Sequence, residues 1–335
     1  MELKEAFLWK KVNSLIECNL CRRNCRIAEN ATGFCRVRQN IKGKLYSLVY
    51  GRALSLAIDP IEKKPLFHFK PATLCTSMST YGCNFRCLHC QNYFISQLWL
   101  KEDLQKIPYT TPAEIVDFTL RQNIPGIAYT YTEPTIFAEY AYDTMVEAKK
   151  FGLYNVWVSN GYFSKELLQK IAPYLDAINV DLKGDEKFYQ EVCGNAHVKF
   201  VKENIKLLVK EFNIHTEVTY LIIPGYNDKE EQIREAVSFV AKISKNIPMH
   251  FTRFFPAFRM QEAEPTPLET LKKAKLIAEE EGLNYVYLGN IPEEENTYCH
   301  NCGNLLIRRI AYSTEIVGLE GNKCKKCGAK IPIIL

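Results

Sequence analysis

TLCTSMSTYGCNFRCLHC, residues Thr73 to Cys90, passes from a short β-forming run straight into three cysteines spaced Cys-x3-Cys-x2-Cys. The run ends at Thr80, so Cys83, Cys87 and Cys90 fall together on one tight loop behind it. Three thiolates so placed can hold three irons of a four-iron cluster and leave the fourth open to an exogenous chelate. A zinc knuckle wants paired ligands, and a ferredoxin-type site wants a fourth cysteine nearby. No other cysteine stands at a matching offset.

Outward from this loop one rhythm recurs. Short β-rich runs at Thr73–Thr80, Ile127–Thr132, Tyr154–Ser159, Ala177–Asp181, Thr216–Ile223, Met249–Phe254 and Tyr285–Leu288 alternate with helix-periodic segments. Those segments are Pro112–Gln122, Thr135–Phe151, Ser164–Ile171, Val198–Lys210, Lys229–Ser244 and Thr266–Glu281. Such alternation builds a parallel sheet, and ligands gather at the carboxyl ends of its strands. Polar motifs collect at those ends: Tyr129-Thr130-Tyr131-Thr132-Glu133-Pro134, Ser159-Asn160-Gly161, Asp181-Leu182-Lys183 and Leu288-Gly289-Asn290. Strand alternation puts Asp181 and Lys183 on one interior face, and Glu217 with Thr219 on another. The structural alternatives are an inward ion pair at Asp181–Lys183, an αL turn at Asn160-Gly161 and a helix N-terminal acid at Glu133.

Composition divides the chain in three. Residues 1–70 form an N-terminal four-cysteine metal-binding module and linker, which leads into a Pro- and Lys-spaced stretch from Asp59 to Pro71. Residues 71–292 carry the β/α alternation, and residues 293–335 are again cysteine-rich. Cys299-x2-Cys302 and Cys324-x2-Cys327, with 21 residues between them, read as a zinc ribbon whose four thiolates close one tetrahedral site. Cys18-x2-Cys21-x3-Cys25-x9-Cys35 offers four further ligands, with zinc the first choice and an auxiliary iron–sulfur cluster the alternative. Of the 13 cysteines, only Cys75 and Cys193 stand outside these groups. That is how metal sites look in a reducing compartment, and Cys193 reads as a buried small hydrophobe.

With 47% apolar residues the chain can bury a sizeable core. No apolar run approaches the roughly 18 residues that span a bilayer. The start Met1-Glu2-Leu3-Lys4-Glu5 lacks the basic-then-apolar layout of a leader, so a soluble cytoplasmic protein with no membrane partner is expected. The formal charge of +5 hints at nucleic acid. Filled thiolate sites cancel that excess, so nucleic acid is not an expected partner.

The Cys83 loop resembles that of the radical-SAM superfamily, in the branch around pyruvate formate-lyase activating enzyme. Phe85 fits the family's aromatic two places before the second cysteine, and His89 takes a position that packs beside the cluster. The resemblance implies an incomplete (β/α)6 barrel, here with small cysteine-rich metal-binding modules at both ends. It implies a 4Fe-4S cluster on Cys83, Cys87 and Cys90, with S-adenosylmethionine (SAM) chelating the open iron. Reductive cleavage would then yield a 5′-deoxyadenosyl radical that abstracts hydrogen from a substrate, fed by a low-potential donor of ferredoxin or flavodoxin type.

Glu133 stands where the family's Gly-Gly-Glu motif holds the SAM amino group, although the glycines are missing. Ser159-Asn160-Gly161 resembles a Thr-Asn-Gly in which Asn160 would support the ribose or methionine end. Asp181 and Lys183 match an Asp-x-Lys in which the lysine neutralises the SAM carboxylate. Gly289 ends the strand at which adenine would stack, and Thr219 stands where the activating enzyme carries an arginine. The N-terminal cysteines, the Tyr129–Pro134 segment, the Val286–Asn290 end and the trailing ribbon together resemble the radical-SAM member of the AmmeMemoRadiSam system. That likeness implies Memo-like and Ammecr-like partner proteins and leaves the substrate, a small molecule or a partner-protein residue, unnamed. Two other readings stand beside it: a glycyl-radical-enzyme activase, and a non-catalytic zinc and RNA-binding protein using basic clusters such as Arg22, Arg23 and Arg26.

Overall fold

The computed structural model describes residues 3–335; Met1 and Glu2, part of the stretch read above for a leader, lie outside the described residues. Eight strands form the central sheet: β1 (Ser55–Pro60), β2 (Leu74–Ser79), β3 (Gly126–Tyr129), β4 (Tyr154–Ser159), β5 (Ala177–Asp181), β6 (His215–Ile222), β7 (Met249–Arg253) and β8 (Val286–Gly289). Their spatial order follows the chain. Strands β2 to β8 run parallel, each paired with the next. β1 pairs antiparallel with β2, Ser55 opposite Ser79 and Pro60 opposite Leu74. Thus seven parallel strands, not six, carry the repeat, and β1 is drawn into the sheet from the stretch assigned to the N-terminal module. β1 and β8 are its two edges, so the sheet stays open.

Local sequence explains the elements. Residues 126–129 and 177–180 are buried throughout, as expected of parallel strands covered on both faces. Some of the outer helices start where the chain offers caps. Thr111 and Glu114 form a capping box before Pro112–Arg121, and Ser164 caps Lys165–Ile171. Val198–Lys210 buries Val198, Val201, Ile205 and Leu208 at helical spacing against the sheet. No helix among the described residues is long and apolar enough to cross a membrane.

The amino end of the barrel is closed by the segment 61–69, which threads beneath the strands as a strap. Glu217, fully buried on β6, accepts from the Phe67 N–H (3.0 Å) and the His68 N–H (2.7 Å). It also accepts from His215 Nε2 (3.0 Å) and His250 Nε2 (2.7 Å). Asn179 Nδ2 donates to the Pro65 carbonyl at 2.8 Å, and Thr219 Oγ1 donates to Asn179 Oδ1 at 2.9 Å. Glu217 and Thr219 therefore face inward as read, and their polar atoms are used by the fold.

The segments that precede and follow the central sheet both pack against it. On the N-terminal side, buried Arg38 grips buried Glu139 through two 2.8 Å hydrogen bonds. On the C-terminal side, Arg309 donates to the Phe67 carbonyl at 2.7 Å, and the Ile334 N–H donates to the His68 carbonyl at 2.9 Å. His68 Nδ1 lies 3.1 Å from the Pro332 carbonyl, and its Nε2 lies 2.6 Å from Tyr287 Oη. A carbonyl only accepts, so Nδ1 carries the proton and Nε2 accepts from Tyr287.

Candidate active site

At the carboxyl end of the strands lies a cavity of about 460 Å³. The loop after β2 brings Cys83, Cys87 and Cys90 to it, the segments after β3 and β4 bring Glu133 and Asn160, and β5 with its extension brings Asp181 and Lys183. Residues separated by a hundred positions in the chain thus share one chamber, within the size range of small-molecule sites.

The cysteine loop is held by its neighbours. The Leu88 N–H donates to the Val192 carbonyl at 3.0 Å and the Arg86 N–H to the Cys193 carbonyl at 3.3 Å. Gln97 Nε2 donates to the Cys87 carbonyl at 2.9 Å. Burial pushes the Cys83 thiol well up; contact with the Cys193 thiol, then burial, does the same to Cys87. Deprotonating such groups is costly unless a cation sits among them. The three sulfurs do not all lie within 4.8 Å of one another, so they suit a polynuclear cluster better than one ion. His89 packs against Phe188 and lines the same chamber, with burial, then Lys183, pushing its pKa down to about 3.

Glu133 is 3% exposed. Its Oε1 accepts from the Thr135 N–H (3.1 Å), Thr135 Oγ1 (2.6 Å) and Ser159 Oγ (2.8 Å), and its Oε2 accepts from the Asn160 N–H (2.8 Å). Burial pushes its pKa up against these donors. Oε2, with one donor, keeps a free lone pair. Asn160 donates through Nδ2 to Asn84 Oδ1 (2.7 Å) and accepts at Oδ1 from the Tyr162 N–H (3.0 Å), so it ties β4 to the cysteine loop. Lys183 Nζ lies 2.8 Å from Asp181 Oδ2. Burial opposes its charge, but Asp181 and the Cys87 and Cys193 sulfurs hold its pKa well above the ordinary lysine value.

Gly289 is placed elsewhere. It lines an adjoining cavity of about 210 Å³ with His250, Thr252 and Asn290, and Lys63 borders both chambers. A Cβ on Gly289 would stand 2.6 Å from the Thr252 methyl, so the close approach of β7 and β8 needs glycine there.

The sequence reading missed the polar corner made by the strap. Lys64 Nζ donates to Asp59 Oδ2 (2.8 Å), Lys63 Nζ to Asp59 Oδ1 (2.6 Å) and Ser77 Oγ to Asp59 Oδ2 (2.7 Å). Tyr131 also donates to Asp59. Burial pushes the Asp59 carboxyl up, but these donors together hold it well below the usual range. Tyr131 sits at φ +63°, a conformation a bulky side chain rarely takes. The signal available was the pair Lys63-Lys64 one turn after a strand-like Ser55–Pro60. Cys193 was read as a buried hydrophobe; it is fully buried, but it also touches Cys87.

An open parallel β/α sheet with three loop cysteines at the mouth of such a chamber fits a radical SAM enzyme, and the chain belongs to the Radical SAM superfamily, which it matches over residues 77–237. Membership implies a 4Fe-4S cluster and SAM. The chain is 48% identical over 341 residues to the uncharacterized protein MJ0808 of Methanocaldococcus jannaschii, covering 99% of this chain and 100% of that one. It is 24% identical over 197 residues to a 4-hydroxyphenylacetate decarboxylase activating enzyme of Clostridioides difficile, covering 57% of each. Among solved structures, Streptococcus suis SuiB bound to S-adenosylmethionine shares the fold, with a TM-score of 0.50 and 15% identity, over 63% of this chain and 49% of that one.

Proposed function

We propose that the enzyme cleaves SAM reductively in the 460 Å³ chamber and abstracts hydrogen from a substrate held above it. The observation that carries this is the convergence of Cys83, Cys87, Cys90, Glu133, Asp181 and Lys183 on one cavity. Cluster and SAM together supply one-electron cleavage of the sulfonium and a 5′-deoxyadenosyl radical. The protein's own residues bind, orient and exclude water. Cys83, Cys87 and Cys90 ligate three irons. Glu133 Oε2 accepts from the SAM ammonium, Lys183 neutralises its carboxylate, and Asp181 fixes the lysine. Asn160 holds the cysteine loop against β4, and the adjoining smaller chamber, which Gly289 lines, would take the adenine ring. The electron comes from a low-potential ferredoxin- or flavodoxin-type donor.

Cys299, Cys302, Cys324 and Cys327 bring their sulfurs within 4.8 Å of one another, which supports a structural zinc with no open position. The layout of the whole chain supports membership of an AmmeMemoRadiSam system, with a Memo-like and an Ammecr-like protein as partners and a small molecule or a partner-protein residue as substrate. The likeness to the decarboxylase activating enzyme favours a second reading, activation of a glycyl-radical enzyme.

The test is anaerobic reconstitution with iron and sulfide, followed by dithionite and SAM. 5′-Deoxyadenosine should form, and should not form with Cys87→Ala. Its absence in the wild type, or equal formation in the variant, defeats the reading. Deuterated candidate substrates that pass label into the deoxyadenosine identify the hydrogen donor.

A further inference from the structure

The two outer sets of four cysteines differ in geometry. In the C-terminal lobe, Cys299 Sγ lies 3.6 Å from Cys327 Sγ, and Cys302 Sγ lies 3.8 Å from Cys324 Sγ. A single tetrahedral ion with bonds of about 2.3 Å demands such edges. In the N-terminal module no three of Cys18, Cys21, Cys25 and Cys35 bring their sulfurs within 4.8 Å of one another. These four side chains instead line a void of about 10 Å³, enough for the centre of one water-sized sphere. Sulfurs drawn to about 2.3 Å from one ion leave no such space between them. The same chain therefore holds one set contracted to the size of an ion and another spread to the size of a larger body.

The lining of the void points the same way. Arg38 and Asn84 both border it, at 2% and 0% exposure. Arg38 Nε and Asn84 Nδ2 are buried donors without a partner. A buried donor left without a partner is destabilising, so each calls for an acceptor in the void. Four thiolates around one ion add no acceptor beyond themselves, whereas an iron–sulfur core presents bridging sulfides. Disulfide formation is not what unites the set, since all four cysteines are free.

We infer that Cys18, Cys21, Cys25 and Cys35 ligate an auxiliary four-iron, four-sulfide cluster, closed by four thiolates, to whose sulfides Arg38 Nε and Asn84 Nδ2 donate. The site abuts the Cys83 loop directly. Gly82, at φ +100°, leaves no room for a Cβ, which would stand 2.9 Å from the Cys35 carbonyl. Arg23 Nε donates to the Asn84 carbonyl at 2.9 Å, and Asn84 Oδ1 lies 3.9 Å from Cys83 Sγ. Asn84 thus borders the auxiliary site on one side and touches a ligand of the SAM-binding cluster on the other.

The test is metal and sulfide analysis of full-length protein, purified and reconstituted without oxygen, as wild type and as Cys83→Ala/Cys87→Ala/Cys90→Ala. The wild type should hold about eight irons, about eight acid-labile sulfides and about one zinc per chain. The triple variant should keep about four irons and one zinc, and its dithionite-reduced paramagnetic signal should not shift when SAM is added. About two zincs per chain in the wild type, or loss of all iron in the triple variant, overturns the assignment and leaves the Cys83 loop's role intact. Four irons in the wild type, all surviving in the triple variant, refute that loop's role instead. Cys21→Ala/Cys25→Ala in the full chain should lower iron to about four; unchanged iron overturns the assignment. Where that variant fails to fold, the wild-type iron and zinc counts decide.

Discussion

Glu217→Gln is an isosteric change whose effect can be worked from four hydrogen bonds. The carboxylate accepts at Oε1 from the His68 N–H and His215, and at Oε2 from the Phe67 N–H and His250, all between 2.7 and 3.0 Å. Glutamine keeps one accepting oxygen and turns an NH₂ toward the other pair. Either orientation leaves one backbone N–H facing a donor in a fully buried site. A histidine can change tautomer to meet the NH₂, but a peptide cannot. The orphaned peptide costs about 1–3 kcal/mol, and the surviving bonds fall from charge-assisted to neutral strength, which removes roughly another 1–2 kcal/mol. The expected loss is about 2–5 kcal/mol. With a urea slope of about 3 kcal/mol/M, the unfolding midpoint should drop by roughly 0.7–1.7 M at unchanged slope. Glu269→Gln, at a side chain 86% exposed, serves as control and should move the midpoint by less than about 0.2 M. If the two variants unfold together, the strap is not held by Glu217 and the account of the barrel floor is wrong.

Other outcomes follow from the same structure. Burial, against the pull of Glu217 and with Arg309 nearby, pushes the His68 pKa down to about 3. The unfolded chain then binds the extra proton first, so stability is full above the ordinary value near 6.5 and falls as pH drops toward 3. Between pH 7 and 5 the wild type should lose about 2 kcal/mol that His68→Gln does not lose. Equal losses in denaturant titrations would show that His68 is not buried as a neutral ring. Lys183→Met removes the cation paired to Asp181; calorimetry on reconstituted protein should show SAM binding weakened about 10- to 100-fold, and unaltered affinity would remove Lys183 from the site. Cys193→Ser should leave iron content unchanged, because the three loop cysteines suffice; a lost cluster would make Cys193 a ligand. Cys302→Ser should abolish zinc binding while the iron content persists, and retained zinc would refute the ribbon.

Much of this was legible because it is periodic or clustered. All seven parallel runs appear where alternation put them, and Val198–Lys210 matches its expected helix end to end. Boundaries moved where tertiary contacts intervened: β3 stops at Tyr129 because Tyr131 turns to reach Asp59. The placement of Glu133, Asn160, Asp181 and Lys183 on one chamber follows from the rule that strand ends carry ligands. The strap escaped because segment 61–69 has no period of its own; its burial depends on Glu217, Asn179 and Arg309, all more than a hundred residues away in the chain. Ser55–Pro60 escaped because an edge strand is fixed by its neighbour more than by its own pattern. Gly289 shows the remaining limit: sequence put it at a strand end, but only the packing of β7 on β8 assigns that end to the smaller chamber.

The strap also changes what the last forty residues are. Because Arg309, Pro332 and Ile334 grip Phe67 and His68 from outside, the C-terminal lobe is the baseplate of the vessel and no detachable appendage. A chain cut before Thr297 would strip the segment that carries Lys63 and Lys64 of these outer contacts, leaving Glu217 and Asn179 to hold the floor of the reaction chamber from within.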